Sequence, residues 1–205
     1  MKVCGMQKTV IFDLGNVLVR WDPQEILRRF SDDAAEREHF RQVLSGQCWT
    51  ALDAGLMEYD SALKFYANVL QKPVAEIERL MQTMRESLEP LPLGVELLRD
   101  LHRRGADLIC ISNMPLHADR YLRTRYDYWP LFRGIVISAE VQLTKPNPEI
   151  FRYALEKYRL DPAQTLFVDD MQVNIDAAAA LGIAGVCYQN RQEDVEQVYR
   201  FVNAV

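Results

Sequence analysis

The chain has 205 residues, 49% of them apolar and 26% charged, the composition of an ordinary globular protein built as one domain or as one domain carrying a smaller insert. Its formal net charge of -5 comes without a basic stripe, which argues against a nucleic-acid partner; Arg120, Arg123 and Arg125 read as a solvated helix face. No apolar run approaches the roughly 18 residues of a membrane helix, so no membrane partner is expected.

Thr9–Phe12 is a short run of β-branched and aromatic residues that reads as a buried strand of a parallel sheet, and Asp13 stands where the run stops. In open α/β sheets that carboxyl edge is where ligands sit. Gly15 and Asn16 then allow an abrupt turn, because Gly accepts positive φ and Asn tolerates it. Trp21-Asp22-Pro23 is a helix start, with Asp22 as N-cap and Pro23 at the first helical position, and Ile26, Leu27 and Phe30 recur at helical spacing. Further helical patterns follow at 36–44, 47–53, 60–70 and 74–88, with Asp60-Ser61 and Lys72-Pro73 as starts.

Residues 89–92, Glu-Pro-Leu-Pro, read as a return linker. Beyond it strands at 107–112, 134–138, 165–169 and 183–188 alternate with helices at 94–104, 116–125, 148–158, 173–181 and 193–202. Such alternation implies an α/β fold, a doubly wound (Rossmann-like) parallel sheet core covered on both faces, with an inserted all-helical cap. The boundaries are a core of 1–16 and 90–205 and a helical cap of 17–89. Cys4, Cys48, Cys110 and Cys187 are scattered without a C-x-x-C pair, and Cys110 in its apolar run reads as a small buried hydrophobe. Lys2 is followed by too few apolar residues for a signal peptide, so the expected location is cytoplasmic.

The residues just past each strand converge on one crevice in such a sheet. They are Asp13 after the first strand, Ser112 and Asn113 after the second, Lys145 in the loop after the third, and Asp169-Asp170 after the fourth. Carboxylates from separate strands can share a hard divalent cation, since Mg²⁺ takes oxygen ligands and keeps room for water and phosphate oxygens. An ammonium, a hydroxyl and backbone N–H groups suit the equatorial oxygens of a phosphoryl group. The set points to phosphate chemistry with an Asp nucleophile.

These four stretches, in this order, resemble the haloacid dehalogenase superfamily of Asp-nucleophile phosphatases along essentially the whole chain. Within it, FDLGNVLV is most similar to a sugar-phosphatase-like group that includes α-D-glucose-1-phosphate phosphatase. The resemblance implies that Asp13 is the nucleophile, forms an aspartyl-phosphate and ligates Mg²⁺, and that the Gly15 carbonyl is a second ligand. It implies that Ser112 and Asn113 hold phosphoryl oxygens, that Lys145 neutralises nucleophile and phosphate, and that Asp170 is the principal acidic metal ligand, with Asp169 and Asn174 in support. The helical insert matches a cap placed after the first motif.

One position departs from the pattern. Most phosphatases of this superfamily carry a second Asp two residues after the nucleophile as general acid, and here that position is Gly15. Either the substrate has a good leaving group such as an anomeric oxygen, or another group such as Asp22 or a metal-held water supplies the proton, or turnover is lost and binding kept. The expected substrate is a small phosphorylated metabolite, with a sugar phosphate as the finer expectation. The rivals are a non-catalytic phosphate-binding or regulatory protein of the same fold and a metal-free haloacid dehalogenase. A dinucleotide enzyme is disfavoured, because no G-x-G-x-x-G opens a helix after the first strand. His39, His102 and His117 have no triad-like setting, with His102 and His117 expected on helix surfaces. Trp21, Trp49 and Tyr59 are expected in the core of the cap, with Trp21 also a candidate for the substrate mouth.

Overall fold

The run TVIF suits extended backbone, because branched and aromatic side chains pack well on a pleated surface. In the structure, a computed structural model that describes residues 8–204, this run forms β1 (Thr9–Phe12), buried along its whole length. Five helices come after it: α1 (Pro23–Phe30), α2 (Ala34–Phe40) with a 3₁₀ turn at Arg41–Leu44, α3 (Gly46–Asp53), α4 (Tyr59–Leu70) and α5 (Val74–Glu86). Then come α6 (Pro92–Arg103), β2 (Asp107–Ser112), α7 (Leu116–Arg125), β3 (Gly134–Ile137), α8 (Ser138–Val141), α9 (Pro148–Tyr158), β4 (Thr165–Asp169), α10 (Gln172–Ala179), β5 (Ala184–Cys187) and α11 (Gln192–Asn203).

The five strands form one parallel sheet in the order β3-β2-β1-β4-β5, the doubly wound arrangement expected from the alternation. Phe12 lies opposite both Cys110 and Val168, so the chain leaves β1, β2 and β4 at nearly the same level. Val10 and Phe12 face one apolar core and Ile11 the other, where Ile109, Ile111 and Phe167 meet Ile150 and Phe151 of α9 and Ile175 of α10. Each such buried aliphatic or aromatic side chain contributes about 1.5–3 kcal/mol, which makes the central strand a rigid mount for Asp13 at its end. The strand order reverses direction between β1 and β4, and Asp13 and Asp170 leave the sheet on either side of that crevice.

Local signals explain most element ends. Asp22 Oδ1 accepts from the Glu25 backbone N–H at 3.0 Å with Pro23 at the first helical position, a cap of about 1 kcal/mol. The second helix begins earlier than its apolar pattern, at Ala34, because the Asp33 side chain accepts from the N–H groups of Ala35 and Glu36. Its expected run to 44 is split by a tightening into the 3₁₀ turn. Glu58, rather than Asp60 or Ser61, precedes α4, and α6 starts at Pro92, inside the stretch read as a linker. Ser138 does not end a strand but opens α8, four residues long and too short to show a period.

The abrupt turn expected at Gly15-Asn16 is present, with Asn16 as its left-handed residue (φ 53°). One local expectation is corrected. His117 is not a surface histidine: it packs on Tyr59 at 4.3 Å between ring centroids, with its Nε2 buried and unpartnered. Cys110 is fully buried, as its setting suggested. Cys4 and the N-terminal stretch read for a leader lie outside the described residues. No helix among the described residues is long and apolar enough to cross a membrane.

Candidate active site

Asp13 directly succeeds β1 and its backbone N–H still donates to Val168 O of β4 at 2.9 Å, so its position is set by the sheet. Its Oδ1 lies 2.8 Å from Lys145 Nζ, which also donates to Asp169 Oδ2 at 2.6 Å. Lys145 arrives from the loop between α8 and α9, and Asn113 holds it there. The Asn113 side chain donates to Lys145 O at 2.9 Å and accepts from Lys145 N at 2.8 Å. Asp169 is fully buried, and its Oδ1 accepts from the Met171 N–H and from Asn174 Nδ2, both at 2.9 Å. Asp170 is half-buried and takes a bond from Asn16 Nδ2 at 2.9 Å, while Asn16 Oδ1 accepts from the Trp21 N–H at 3.0 Å.

Every residue read from the strand ends is therefore near one place. Asp13, Gly15, Ser112, Asn113, Lys145, Asp170 and Asn174 line a single cavity of about 240 Å³, and Asp169 lies beneath it. Carboxylate oxygens of Asp13, Asp169 and Asp170 fall within 4.8 Å of one another. Three acids against one ammonium leave an excess of hard oxygen donors, the donor set that suits a divalent cation such as Mg²⁺. Asp169 is already committed to Lys145, Met171 and Asn174, so Asp13 and Asp170 are the acids with capacity to spare.

The electrostatics stem from burial. Desolvation pushes the Asp13 carboxyl up to about 7, against the pull of the Lys145 ammonium and with a further push from Asp169. Asp170 is likewise raised by burial, partly offset by the Asn16 bond. Desolvation works against the Lys145 charge, but Asp13 and Asp169 outweigh it and hold its pKa above the usual lysine range. The cluster is thus short of positive charge, and a bound cation would restore Asp13 to its anionic form.

The opposite wall comes from the segment between β1 and α6. Trp21 and Trp49 stack at 5.2 Å between ring centroids, and Met84 and Leu88 continue an apolar face. Both indoles thus face the cavity rather than serving only as helical core. Asp22 is not part of this cavity: it caps α1 and lines a separate groove with Arg20 and Gln24. The wall carries one acid that the sequence did not single out, Asp53 at the end of α3, whose carboxyl desolvation raises to about 7. Its only sequence mark is a helix-end Asp two residues before Gly55, an ordinary pattern that says nothing of Asp13 across the cavity. The Asn16–Asp170 bond and the Asn113–Lys145 clamp were also hidden, since both join residues far apart in the chain.

A family model described as haloacid dehalogenase-like hydrolase matches residues 7–182. The sesquiterpene phosphatase astK of Aspergillus oryzae is 28% identical over 184 residues, spanning 90% of this chain and 91% of the relative. Among solved structures, a HAD-like family hydrolase from Porphyromonas gingivalis superposes with a TM-score of 0.78 at 20% identity, over 98% of this chain and 100% of that one. The HAD family enzyme bt-2542 of Bacteroides thetaiotaomicron, in complex with magnesium and inorganic phosphate, gives 0.73 at 22% identity, over 87% of this chain and 92% of that one.

Proposed function

The chain belongs to the haloacid dehalogenase-like hydrolase family, and from that premise we propose that it is a Mg²⁺-dependent phosphomonoester hydrolase with Asp13 as nucleophile. The observation that carries this reading is the meeting of Asp13, Lys145, Asp169 and Asp170 at the carboxyl edge of one sheet. An Asp13 oxygen attacks phosphorus, the ester oxygen leaves, and an aspartyl-phosphate forms; water then cleaves it to inorganic phosphate. Lys145 offsets the charge of nucleophile and phosphoryl group. Ser112 and Asn113 hold phosphoryl oxygens, and Asn113 also fixes the Lys145 backbone.

Asp13, Asp170 and the Gly15 carbonyl would hold the Mg²⁺, which supplies positive charge for the phosphoryl oxygens. Asp169 and Asn174 support the site by fixing Lys145 and the turn after β4. Residues 17–89 form the cap over a core of 1–16 and 90–205, and closure of that cap excludes water from the reaction.

The substrate is a small phosphorylated metabolite, and the cavity wall bears on its organic part. A sugar phosphate, the finer class suggested by FDLGNVLV, would bring several hydroxyls against Trp21, Trp49, Met84 and Leu88. Each hydroxyl buried there without a partner costs about 1–3 kcal/mol. An apolar or aromatic organic group meets no such cost, and the likeness to a sesquiterpene phosphatase supports that choice. Released phosphate from a panel holding both sugar and apolar phosphomonoesters, with Mg²⁺ and then with chelator, tests the reading. Turnover is expected to need Mg²⁺, to favour the apolar members, and to fall at least about 10³-fold in Asp13→Asn. Silence across the panel with Mg²⁺ and phosphate still bound would assign a binding protein instead, and halide release from a 2-haloacid in chelator a dehalogenase.

A further inference from the structure

Cleaving an unactivated phosphate ester places negative charge on the departing oxygen, and a positioned acid that protonates it is worth about 10²–10⁴ in rate. The nucleophile's side of the cavity offers no such acid. Gly15 has no side chain, Asp13 and Asp170 are required as anions, and Lys145 is shared between two carboxylates. The leaving oxygen lies on the far side of phosphorus from Asp13, toward the helical wall, where the apolar lining is broken by one acid.

We propose that Asp53 of α3 is the general acid–base of this hydrolase, a role that rests on the phosphatase reading above. As the Asp13 oxygen bonds to phosphorus and the ester P–O bond breaks, the Asp53 carboxyl gives its proton to the departing oxygen, releasing the alcohol. The Asp53 carboxylate then takes a proton from the water whose oxygen attacks phosphorus. The bond from phosphorus to Asp13 breaks, inorganic phosphate leaves, and both side chains return to their starting forms.

The end of α3 is fastened to the core that carries the other groups. Ser138 Oγ donates to Asp53 O, and the same hydroxyl accepts from the Met114 N–H at 2.9 Å, next to Asn113. Gln142 Nε2 donates to Gly55 O at 3.3 Å. Gly55, at φ 66°, packs so closely that a Cβ there would lie 2.2 Å from Ala139 O, which only glycine permits. Asp53 therefore stays over the site through contacts with the loop after β2 and with α8, which precedes Lys145. Its burial raises the carboxyl to about 7, so a proton is available to it near neutrality, against a Trp49 hydrogen bond and with a push from Asp13.

The test is the dependence on leaving group in the full chain with Mg²⁺, comparing benzyl phosphate, whose alkoxide leaves poorly, with 4-nitrophenyl phosphate, whose phenolate leaves well. Asp53→Asn is expected to lower kcat/KM, which reports the step that expels the ester oxygen and not the later hydrolysis common to both esters, about 10²–10⁴-fold on benzyl phosphate and at least tenfold less severely on 4-nitrophenyl phosphate. Should that variant not fold, Asp53→Ser is read in the same way. Equal losses on both esters, or none on either, would overturn the assignment. Failure of the unaltered protein to hydrolyse either ester or any panel member would overturn the phosphatase reading itself, a result distinguishable from the first.

Discussion

The two walls of the cavity are built on opposite terms. The sheet edge is polar and over-determined: Asp169 takes three bonds, Lys145 is gripped by Asn113, and Asp170 is held by Asn16. The helical wall is apolar, with stacked indoles, thioether and leucine side chains and a lone carboxyl. Charged groups in a water-poor site act strongly only when held still, so the reactive set stands on rigid strand ends. Apolar surface recognises by shape and area and can change without disturbing that set. The difference separates what the protein does to phosphate from whose phosphate it accepts.

Removing the cation at the centre of the polar wall should break this division most severely. Lys145→Ala leaves Asp13 and Asp169 buried without their shared counter-charge, and is expected to cost about 3–5 kcal/mol of stability. Turnover should fall about 10²–10³-fold. Thermal melting with and without Mg²⁺ checks the cause: the ion should recover part of the loss in the variant, by offsetting the same charge.

A smaller effect is expected outside the cavity, where His117 of α7 meets Tyr59 of α4 and the elements that carry the two walls touch. Burial and the Arg85 charge lower the His117 pKa from 6.5 to about 4, with Glu78 opposing. Below 6.5 the unfolded chain takes up a proton that the folded protein refuses. The stability tied to neutral His117 is therefore whole above pH 6.5 and drains away as pH falls toward 4. The loss amounts to at most about 3 kcal/mol. Denaturant melts of His117→Phe against the unaltered chain between those pH values should show a shallower fall in the variant.

The apolar wall sharpens the comparison most gently. Trp49→Ala removes one partner of the indole stack, worth about 0.5–1.5 kcal/mol. KM for benzyl phosphate should rise up to about tenfold, while inhibition by inorganic phosphate, which touches only the polar wall, should hardly change.

The polar wall was largely legible in the sequence and, Trp21 apart, the apolar wall was not. Strand ends announce themselves, because an apolar run that stops at Asp13, Ser112 or Asp169 marks the edge of a parallel sheet without knowledge of tertiary contacts. Capping is equally local, which is why Asp22-Pro23 gave the start of α1. Asp53, the Trp21–Trp49 stack and half-buried His117 acquire their meaning only when helices from the insert lie against the sheet, and periodicity carries no information about that docking. That Asn16 rather than Gly15 takes the left-handed conformation has a related cause. Glycine's freedom is visible in a sequence, whereas the two bonds that hold Asn16 in that conformation reach Trp21 and, 154 residues away, Asp170.

That one amide sets up a mechanical gearing. Its nitrogen grips a carboxylate of the proposed ion seat, and its oxygen grips the backbone of an aromatic slab that receives the organic group. Neither the carboxylate of Asp170 nor the backbone of Trp21 can shift relative to the other without breaking one of the two bonds of that amide, so the spacing between ion seat and mouth is set by a single side chain.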